Sequence, residues 1–281
     1  MPVLASLHLY PVKGCRGISL PEATLDAQGL EHQGVGDREW MIVDAASGRF
    51  ETQRSLPALA RIATSIEQDG LVLQAAGTRA LRIDTRRGRP REGRTITVWR
   101  HTGPALDEGD EAAAWLSALL GRALRLVRWD PASRRIADPQ WTDGMEASVR
   151  FPDGFPLLVA ASPSLAQVNR WLAAAGRRPL SMDRFRPNLV IDGLAPFEEE
   201  HLPDIACGAA RIRPVKPCTR CGVPSIDQLT GERGPDPLDV LEHYRMDPGV
   251  GGVTFGMNAI VVAGIGERLR VGQRLHAPRD R

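Results

Sequence analysis

The chain has one chemically distinctive stretch, Arg213-Pro214-Val215-Lys216-Pro217-Cys218-Thr219-Arg220-Cys221-Gly222-Val223-Pro224. It holds two of the four cysteines and one of the two lysines among 281 residues. A thiolate, not a thiol, is the form of cysteine that binds metals and acts as a nucleophile. Because Lys216 and Arg220 are close enough in sequence to favour the ionised form, the stretch predicts a soft-ligand site.

The Cys218-x-x-Cys221 spacing leaves several interpretations open. A thioredoxin-type redox pair usually precedes a helix, whereas turn-forming residues follow this pair. Structural zinc and iron–sulfur sites need four ligands, commonly at short spacing. The remaining candidates are scattered singly along the chain: Cys15, Cys207 and His243. Two reduced thiols in or beside a core are a further interpretation.

The two lysines occur in similar phrases, Pro11-Val12-Lys13-Gly14-Cys15 and Pro214-Val215-Lys216-Pro217-Cys218. Of the 36 basic residues, the other 34 are arginine. A compact ammonium is not replaced by a planar guanidinium, and Lys commonly binds phosphate and other anions. The phrases therefore suggest that both lysines converge on one anionic, thiolate-bound ligand.

Length, composition and charge set broad limits. With 42% hydrophobic and 25% charged residues, 281 residues suit one large or two small domains. The net charge of +2 argues against a nucleic-acid binder. The four cysteines are irregularly spaced, which does not suggest a disulfide framework. The N-terminus shows no leader pattern, and no apolar run reaches 18 residues. These features predict a cytoplasmic protein outside the membrane. Neither Gly-x-Gly-x-x-Gly nor a P-loop motif occurs, which disfavours nicotinamide, flavin and nucleotide-triphosphate sites.

The first half of the chain predicts an N-terminal β-barrel domain over residues 1–128. Strands are predicted at 4–12, 39–44, 49–53, 61–66, 71–74, 80–84, 95–100 and 124–129. A small barrel or closed sheet is the simplest arrangement of so many short strands. One helix is predicted at 110–120, where Gly121 provides the stop.

The second half, residues 129–281, predicts an α+β domain rich in strands. Its predicted strands are 157–161, 189–191, 259–263 and 268–275. Two helices accompany them: one opens at Ser162-Pro163 and runs to Gly176, and a short one runs over 236–244. The fold class is thus β-rich α+β.

Four further segments carry charged groups of interest. The Gly-flanked turn after the first strand can present Lys13 and backbone N–H groups to an anion, or be a surface turn. Asp153 is either an acid or an ordinary turn residue. Before the predicted strand 189–191 comes Arg184-Phe185-Arg186-Pro187-Asn188. Its two arginines and its asparagine can bind a phosphate or a polar ring edge, or they can be solvent-exposed groups at the edge of a sheet. Eight arginines between residues 79 and 100, Arg86, Arg87, Arg89 and Arg91 among them, form either a solvated loop face or a docking patch for an acidic protein.

An ordered set of motifs over essentially the whole chain resembles one family. These motifs are Tyr10-Pro11-Val12-Lys13-Gly14-Cys15-Arg16-Gly17, Asp37-Arg38, Thr52-Gln53-Arg54, Arg184-Phe185-Arg186-Pro187-Asn188, Cys218-Thr219-Arg220-Cys221 and Phe255-Gly256. Together they resemble proteins with a molybdenum cofactor sulfurase C-terminal (MOSC) domain preceded by a MOSC N-terminal β-barrel domain. Known members include reductases of N-hydroxylated compounds, and family descriptions also mention pyridoxal phosphate.

The resemblance implies a molybdenum cofactor (Mo-molybdopterin) held between a β-barrel and a MOSC domain with flanking helices. By analogy, Cys221 ligates the metal and Asp153 lies near it. Residues implied to hold the pterin and its phosphate are Lys13, Gly14, Arg38, Gly154, Phe155, Arg186 and Asn188. Relatives offer hydroxyl side chains where this chain has Gly14, Gly154 and Phe155, so these positions are expected to donate through backbone N–H groups.

The resemblance also implies an activity, which is removal of oxygen from a small N-hydroxylated or N-oxygenated substrate. Asp153 or water would supply protons. Electrons are expected from a separate protein, ferredoxin-like or cytochrome b5-like with its reductase. The alternative is a module that stores or carries the cofactor, or sulfur on Cys221, without turnover. A zinc or thiol-redox protein is a weaker third hypothesis.

Overall fold

The structure, a computed structural model, describes residues 1–68, 70–86 and 91–276. Strands dominate the first half, which contains β1 (Val3–Leu9), β2 (Ile18–Leu20), β3 (Glu22–Asp26), β4 (Gly29–His32), β5 (Val35–Gly36), β6 (Trp40–Asp44), β7 (Ala63–Glu67), β8 (Gly70–Gln74), β9 (Leu81–Asp84), β10 (Gly93–Val98), β11 (His101–Asp107), α1 (Asp110–Leu120) and β12 (Leu124–Trp129). The second half contains β13 (Leu157–Ala161), α2 (Ser162–Ala174), β14 (Leu189–Asp192), β15 (Ile205–Cys207), β16 (Ala210–Thr219), α3 (Leu238–Arg245), β17 (Met246–Asp247), β18 (Gly252–Ala263) and β19 (Arg268–Arg270). The predicted β-rich α+β class is confirmed.

Four sheets organise these strands. The largest has the order β15-β16-β18-β13-β14-β1-β2, with β17 added on β18. Three smaller sheets, β10-β11-β12-β6, β19-β3-β4-β5 and β7-β8-β9, build the half-barrel of the N-terminal region. β1 pairs antiparallel with β14, and β19 pairs with β3. Two sheets therefore combine strands from both sides of the predicted 128/129 boundary, which stays a prediction.

The helices follow the expected local rules. α1 has the predicted bounds; it buries Ala112 and Leu116 and ends at Gly121 in the left-handed conformation. In α2 the N-cap is Ala161, one residue before the predicted cap at Ser162. Ser162 is the first helical residue, and Pro163 lies in the first turn. No helix in the described part of the chain is long and apolar enough to cross a membrane.

Two strand predictions need correction, and two strands named below were missed. The segment 49–53 forms only isolated bridges, from Phe50 to Val43 and from Arg49 to Thr97, and β11, which was not predicted, follows β10 directly through a tight turn. The predicted strand over 268–275 is shorter, Arg268–Arg270. β16 was missed because Pro214 and Pro217 lie within it; proline cannot donate to a ladder, and the pairing of β16 with β18 shifts register beside both prolines.

One core supports both halves of the molecule. Buried apolar side chains from β1, β6, β13, β14 and β16 belong to a single cluster that also includes Leu116 of α1 and Leu269 of β19. Burial of such side chains stabilises a fold by about 1.5–3 kcal/mol each. The turns and loops at the ends of these strands are thereby held against one another, and the candidate site lies among them.

Candidate functional site

All nine residues that the resemblance implies for the site line one cavity of about 140 Å³. The cavity lies where the turn after β1, the loop before β13, the loop before β14 and the end of β16 meet. The nine residues are Lys13, Gly14, Arg38, Asp153, Gly154, Phe155, Arg186, Asn188 and Cys221. Their convergence is a finding of the structure, while the role of each stays a prediction.

The end of β16 delivers the cysteine pair to the cavity. Cys218 lies within β16, Cys221 follows the strand, and both are half-buried. The Arg220 Nη1 donates to Cys218 Sγ at 3.0 Å, and its Nη2 donates to the Phe185 carbonyl at 2.9 Å. A single 3₁₀ turn, Val223–Ser225, follows the pair in place of the α-helix of a thioredoxin-type site.

The remaining cysteines and the second lysine lie apart from this centre. Burial raises the pKa of the Cys15 thiol to about 12 and that of Cys207 to about 11, so both stay protonated at neutral pH. Lys216 places its ammonium 4.9 Å from the centroid of the Trp141 ring and does not line the cavity. Only Lys13 lies at the cavity, so the two lysine phrases do not converge there.

Two arginines enclose the ring of Tyr10. The guanidinium carbons of Arg38 and Arg186 each lie 4.3 Å from the ring centroid. Both arginines have left-handed backbones, with φ of +44° and +58°. Such strain in a non-glycine residue persists only when surrounding contacts maintain it, and it is common at ligand-binding sites. Tyr10 was quoted in the family motif, but its position between two arginines was not predicted.

A buried carboxylate and amide hold Arg38 in place. Asp37 is fully buried; it accepts from the Tyr10 backbone N–H at 2.9 Å and the Arg38 Nη1 at 2.5 Å. Asn188 donates to Asp37 at 2.9 Å and accepts from Arg38 at 3.0 Å and from the Leu158 N–H at 3.1 Å. The Asn188 amide oxygen therefore has two donors within the protein, and its geometry is that of a residue that positions Arg38.

Arg186 has no carboxylate in direct contact among the described residues. It donates to the Cys15 carbonyl at 2.8 Å and the Gln228 Oε1 at 3.3 Å, and it forms no ion pair with a described residue. Burial lowers its pKa from the ordinary value. Gln228 also exchanges amide hydrogen bonds of 2.9 Å with Gln53, whose Nε2 donates to the Gly14 carbonyl at 2.8 Å. These two glutamines were not predicted as site residues; Gln53 lies in a quoted motif, whereas Gln228 carries no sequence signal.

Lys13 and Asp153 form an ion pair at the cavity opening. The Lys13 ammonium also donates to the Phe151 carbonyl at 2.8 Å. Burial lowers the pKa of Lys13 to about 8, although Asp153 opposes this shift. The pKa of Asp153 lies below its ordinary value: enclosure acts against the shift, and the Lys13 charge together with the Trp99 indole N–H outweighs it. Asp153 is therefore a carboxylate at neutral pH.

Gly14, Gly154 and Phe155 are the three positions at which backbone contributions to ligand binding are expected. Gly14 has φ of +85°, and a Cβ there would meet the Leu59 side chain at 3.0 Å. A Cβ at Gly154 would meet no atom within 4 Å, so this position leaves cavity space open. Phe155 is buried against a core that includes Val149 and Ile260. The backbone roles expected at these positions stay predictions.

The chemistry of the lining fits an anionic group with a soft metal. Five cationic side chains line the cavity, and of the described lining residues only Asp153 is acidic; the cations are Lys13, Arg38, Arg54, Arg186 and Arg220. The buried Nε of Arg220 has no hydrogen-bond partner among the residues that the structure describes. Buried charges are costly without a counter-charge, and guanidinium groups match phosphate oxygens in shape and charge. Cys221 offers a thiolate, the ligand that soft metals prefer.

No group of three or more His, Cys, Asp and Glu side chains suited to a metal ion occurs within residues 1–68, 70–86 and 91–276. A structural zinc site commonly uses four protein ligands. A cofactor that brings its own metal ligands instead needs few from the protein. Within the described residues, the donor set therefore matches a phosphate-bearing cofactor with one protein thiolate on its metal.

Comparison with known proteins agrees with this chemistry. A model of the MOSC N-terminal beta barrel domain matches residues 1–123, and a model of the MOSC domain matches residues 146–276. Mitochondrial amidoxime-reducing component 1 of Mus musculus is 32% identical over 253 residues, which are 87% of this chain and 72% of that protein. Mitochondrial amidoxime reducing component 2 of Homo sapiens is 30% identical, with 87% and 73% covered. The chain belongs to the MOSC family, in the branch that carries a MOSC N-terminal domain.

Two further similarities are partial. A molybdenum cofactor sulfurase of Drosophila grimshawi is 34% identical over 251 residues, which are 87% of this chain and 30% of that protein. The crystal structure of YiiM from Geobacillus stearothermophilus matches 44% of this chain and 54% of that chain with 20% identity and a TM-score of 0.30, which is too low to bear on function. None of these comparisons supports pyridoxal phosphate binding.

Proposed function

We propose that the protein is a molybdenum-dependent reductase that removes oxygen from N-hydroxylated or N-oxygenated small molecules. The observation that carries the proposal is the composition of the cavity, which combines five cationic side chains, one carboxylate and an accessible Cys221. The relation to amidoxime-reducing components at about 30% identity supports the reaction class.

The cofactor would be the molybdenum cofactor, held through its phosphate and its metal. Arg186 and Arg220 have no carboxylate partner among the described residues and are the strongest candidates to bind the phosphate. Arg38, held by Asp37 and Asn188, adds a third guanidinium. Cys221 would supply the protein thiolate. When bound, the cofactor supplies two-electron oxygen-atom chemistry, and the protein tunes it through ligation and hydrogen bonds.

Lys13 and Asp153 would manage protons. Reduction of N–OH to N–H consumes two electrons and two protons and releases water. Lys13, with a pKa of about 8, is protonated at neutral pH and lies in a pair that can pass a proton outward. Asp153 is ionised, so it would orient Lys13 and the substrate and not act as the acid. The protons would thus come from Lys13 or water.

The electrons would come from a separate electron-transfer protein of the ferredoxin or cytochrome b5 type with its reductase. Within the described residues 79–86 and 91–100, four arginines pair with carboxylates: Arg82 with Glu67, Arg86 with Asp84, Arg91 with Glu108 and Arg94 with Asp107. Arg79 and Arg100 are exposed and form no ion pair with a described residue. Arg87 and Arg89 lie outside the described residues. The arginine patch therefore stays a prediction as the docking surface for this partner.

The second candidate function is storage or transfer of the cofactor or of sulfur on Cys221. The similarity to the Drosophila grimshawi sulfurase favours it. One experiment separates the two: the purified chain is loaded with cofactor, molybdenum and pterin are quantified, and benzamidoxime reduction is followed with a small-molecule reductant. Stoichiometric cofactor with turnover supports the reductase, whereas stoichiometric cofactor without turnover supports the carrier. If neither molybdenum nor pterin is found after loading, the reductase and the cofactor carrier are both rejected, and only sulfur transfer on Cys221 is left.

A further inference from the structure

A wide groove adjoins the cofactor cavity and shares Thr52 and Arg54 with it. The groove measures about 810 Å³. Its lining residues come from the β10–β11 turn, the segment after β6 and the loop after β12, and they include Arg49, Arg54, Trp99, Arg100, Arg134 and Arg135. Neither the family resemblance nor the proposed cofactor site accounts for this groove.

The groove is strongly cationic. Five of its lining residues are arginines, and none of the described lining residues is Asp or Glu. Arg134 pairs with Glu146. Arg49, Arg54 and Arg100 are exposed and form no ion pair with any residue in the described ranges. Unbalanced, solvent-facing guanidinium groups in a concave surface attract and bind carboxylate or phosphate groups.

Trp99 lines the groove and contacts the carboxylate at the cavity opening. It lies at the tip of the β10–β11 hairpin with φ of +54°, a strained conformation for a bulky residue. Its indole N–H donates to Asp153 Oδ1 at 3.1 Å. Phe50 lies 5.1 Å from its ring and the Arg54 guanidinium 4.6 Å, yet 43% of Trp99 is exposed. An aromatic surface thus connects the cationic groove to the carboxylate at the cavity opening.

We propose that this groove binds the anionic end of the substrate, a carboxylate or a phosphate, while a planar group crosses Trp99 and the N–O group enters the cavity beside Asp153. The inference rests on the proposed function and names its substrate class: N-oxygenated aromatic anions. Arg49 and Arg100 recognise the anion, and the exposed face of Trp99 contacts the planar part. The concave shape, with its aromatic wall at the cavity entrance, favours a small molecule over a protein partner.

The test uses a matched pair of substrates, benzamidoxime and its para-carboxylate, with the cofactor-loaded chain and a small-molecule reductant. Because each charge-assisted hydrogen bond strengthens binding by about tenfold, the Arg49→Ala/Arg100→Ala double variant should raise KM for the carboxylate about tenfold or more. KM for benzamidoxime should stay within about twofold, since no charged contact is lost. Arg178→Ala, an exposed arginine that lines neither cavity, is the matched control.

A binding measurement keeps the inference separable from the proposed function. Calorimetric titration of the same proteins with phenyl phosphate, at about 0.1 M salt where the Debye length is about 10 Å, should show weaker binding to the double variant only. Equal KM changes for both substrates, or unchanged phenyl phosphate affinity, would overturn the inference. If neither substrate is reduced yet phenyl phosphate binding depends on Arg49 and Arg100, the proposed function fails and the anion site stands. The reductase assay is repeated with a protein electron donor. If the double variant loses activity only with that donor, the groove is a docking surface and the inference is overturned.

Discussion

Lys13 and Asp153 lie 140 residues apart in sequence and form an ion pair at the opening of the proposed cofactor cavity. The Lys13 side chain is 8% exposed and the Asp153 side chain 67% exposed, so a buried ammonium meets a carboxylate that faces the cavity space. The pair joins the turn after β1 to the loop before β13. Loss of the Lys13 proton would therefore lower the net charge of the site by one unit.

Cofactor retention should fall as the pH rises through about 8. Below that pH Lys13 is protonated and adds one positive charge to the cavity; above it the charge is lost, because burial lowers the pKa of Lys13 to about 8. Pterin release from the loaded protein, measured by fluorescence between pH 6.5 and 9.5, should accelerate across this range. Lys13→Met lacks the titrating group and should release pterin faster at a rate independent of pH. A flat wild-type profile would contradict this assignment.

The same shift has a consequence for stability. The folded state loses the Lys13 proton near pH 8, whereas the ordinary value is 10.5, so the unfolded chain binds more protons between these limits. The contribution of Lys13 to the free energy of unfolding should therefore increase with pH from about 8 to 10.5. Urea titrations of the wild type and Lys13→Met over this window measure it. The difference between the two should rise with pH, and a falling difference would refute the sign.

Cys221→Ser should remove molybdenum, whereas Cys218→Ser should retain it. The resemblance assigns only the second thiolate to the metal, and the structure shows Cys218 Sγ accepting a hydrogen bond from Arg220 at 3.0 Å. Serine at 218 keeps an acceptor for that bond. Molybdenum per chain, by elemental analysis, and benzamidoxime reduction check both variants. Full activity in Cys221→Ser with loss in Cys218→Ser would reverse the assignment.

Arg186→Ala should release the cofactor phosphate while the chain stays folded. A charge-assisted hydrogen bond contributes about 1.5–3 kcal/mol, which predicts about a tenfold or greater loss of cofactor affinity. Pterin content after dialysis measures the loss, and circular dichroism checks the fold. Arg177→Ala, whose guanidinium pairs with Asp239 away from the cavity, is the control. Equal pterin content in the two variants would remove Arg186 from the site.

Arg91→Ala should destabilise the fold far more than Arg86→Ala. The Arg91 and Glu108 side chains are 5% and 3% exposed, and the Trp40 indole also donates to Glu108 at 2.7 Å. Removing one partner of a buried pair costs about 3–5 kcal/mol, whereas an exposed pair such as Arg86 with Asp84 contributes about 0–1 kcal/mol. Urea unfolding measures the difference. Similar values for both would mean that Arg91 is better solvated than the structure shows.

Much of the fold was predictable because its signals are local. α1, β12 and β13 have their predicted bounds, since helix periodicity, a terminal glycine and a run of apolar residues specify them without distant contacts. β16 was not predictable in this way, because two prolines within a strand normally argue against one. Only its pairing with β18 accommodates them, through register shifts.

Six of the nine predicted site residues lie in the ordered motifs, and Asp153, Gly154 and Phe155 were named by analogy with the family, but the contacts that these residues make were not predicted. The enclosure of Tyr10 by Arg38 and Arg186 depends on two left-handed backbones brought together from distant segments. The exchange of amide hydrogen bonds between Gln53 and Gln228 likewise spans 175 residues. No periodicity or spacing encodes such contacts, because they arise only when separate sheets pack.

The exchange of terminal strands between the two halves affects how the protein folds. β1 pairs with β14, more than 180 residues later, and β3 pairs with β19 near the end of the described chain. A nascent chain that has emerged only as far as residue 150 lacks both partners, so its first strand has an unpaired edge during synthesis. High contact order of this kind slows folding. Insertion of the proposed cofactor would consequently require a nearly complete polypeptide, because residues from Lys13 to Asn258 line the cavity.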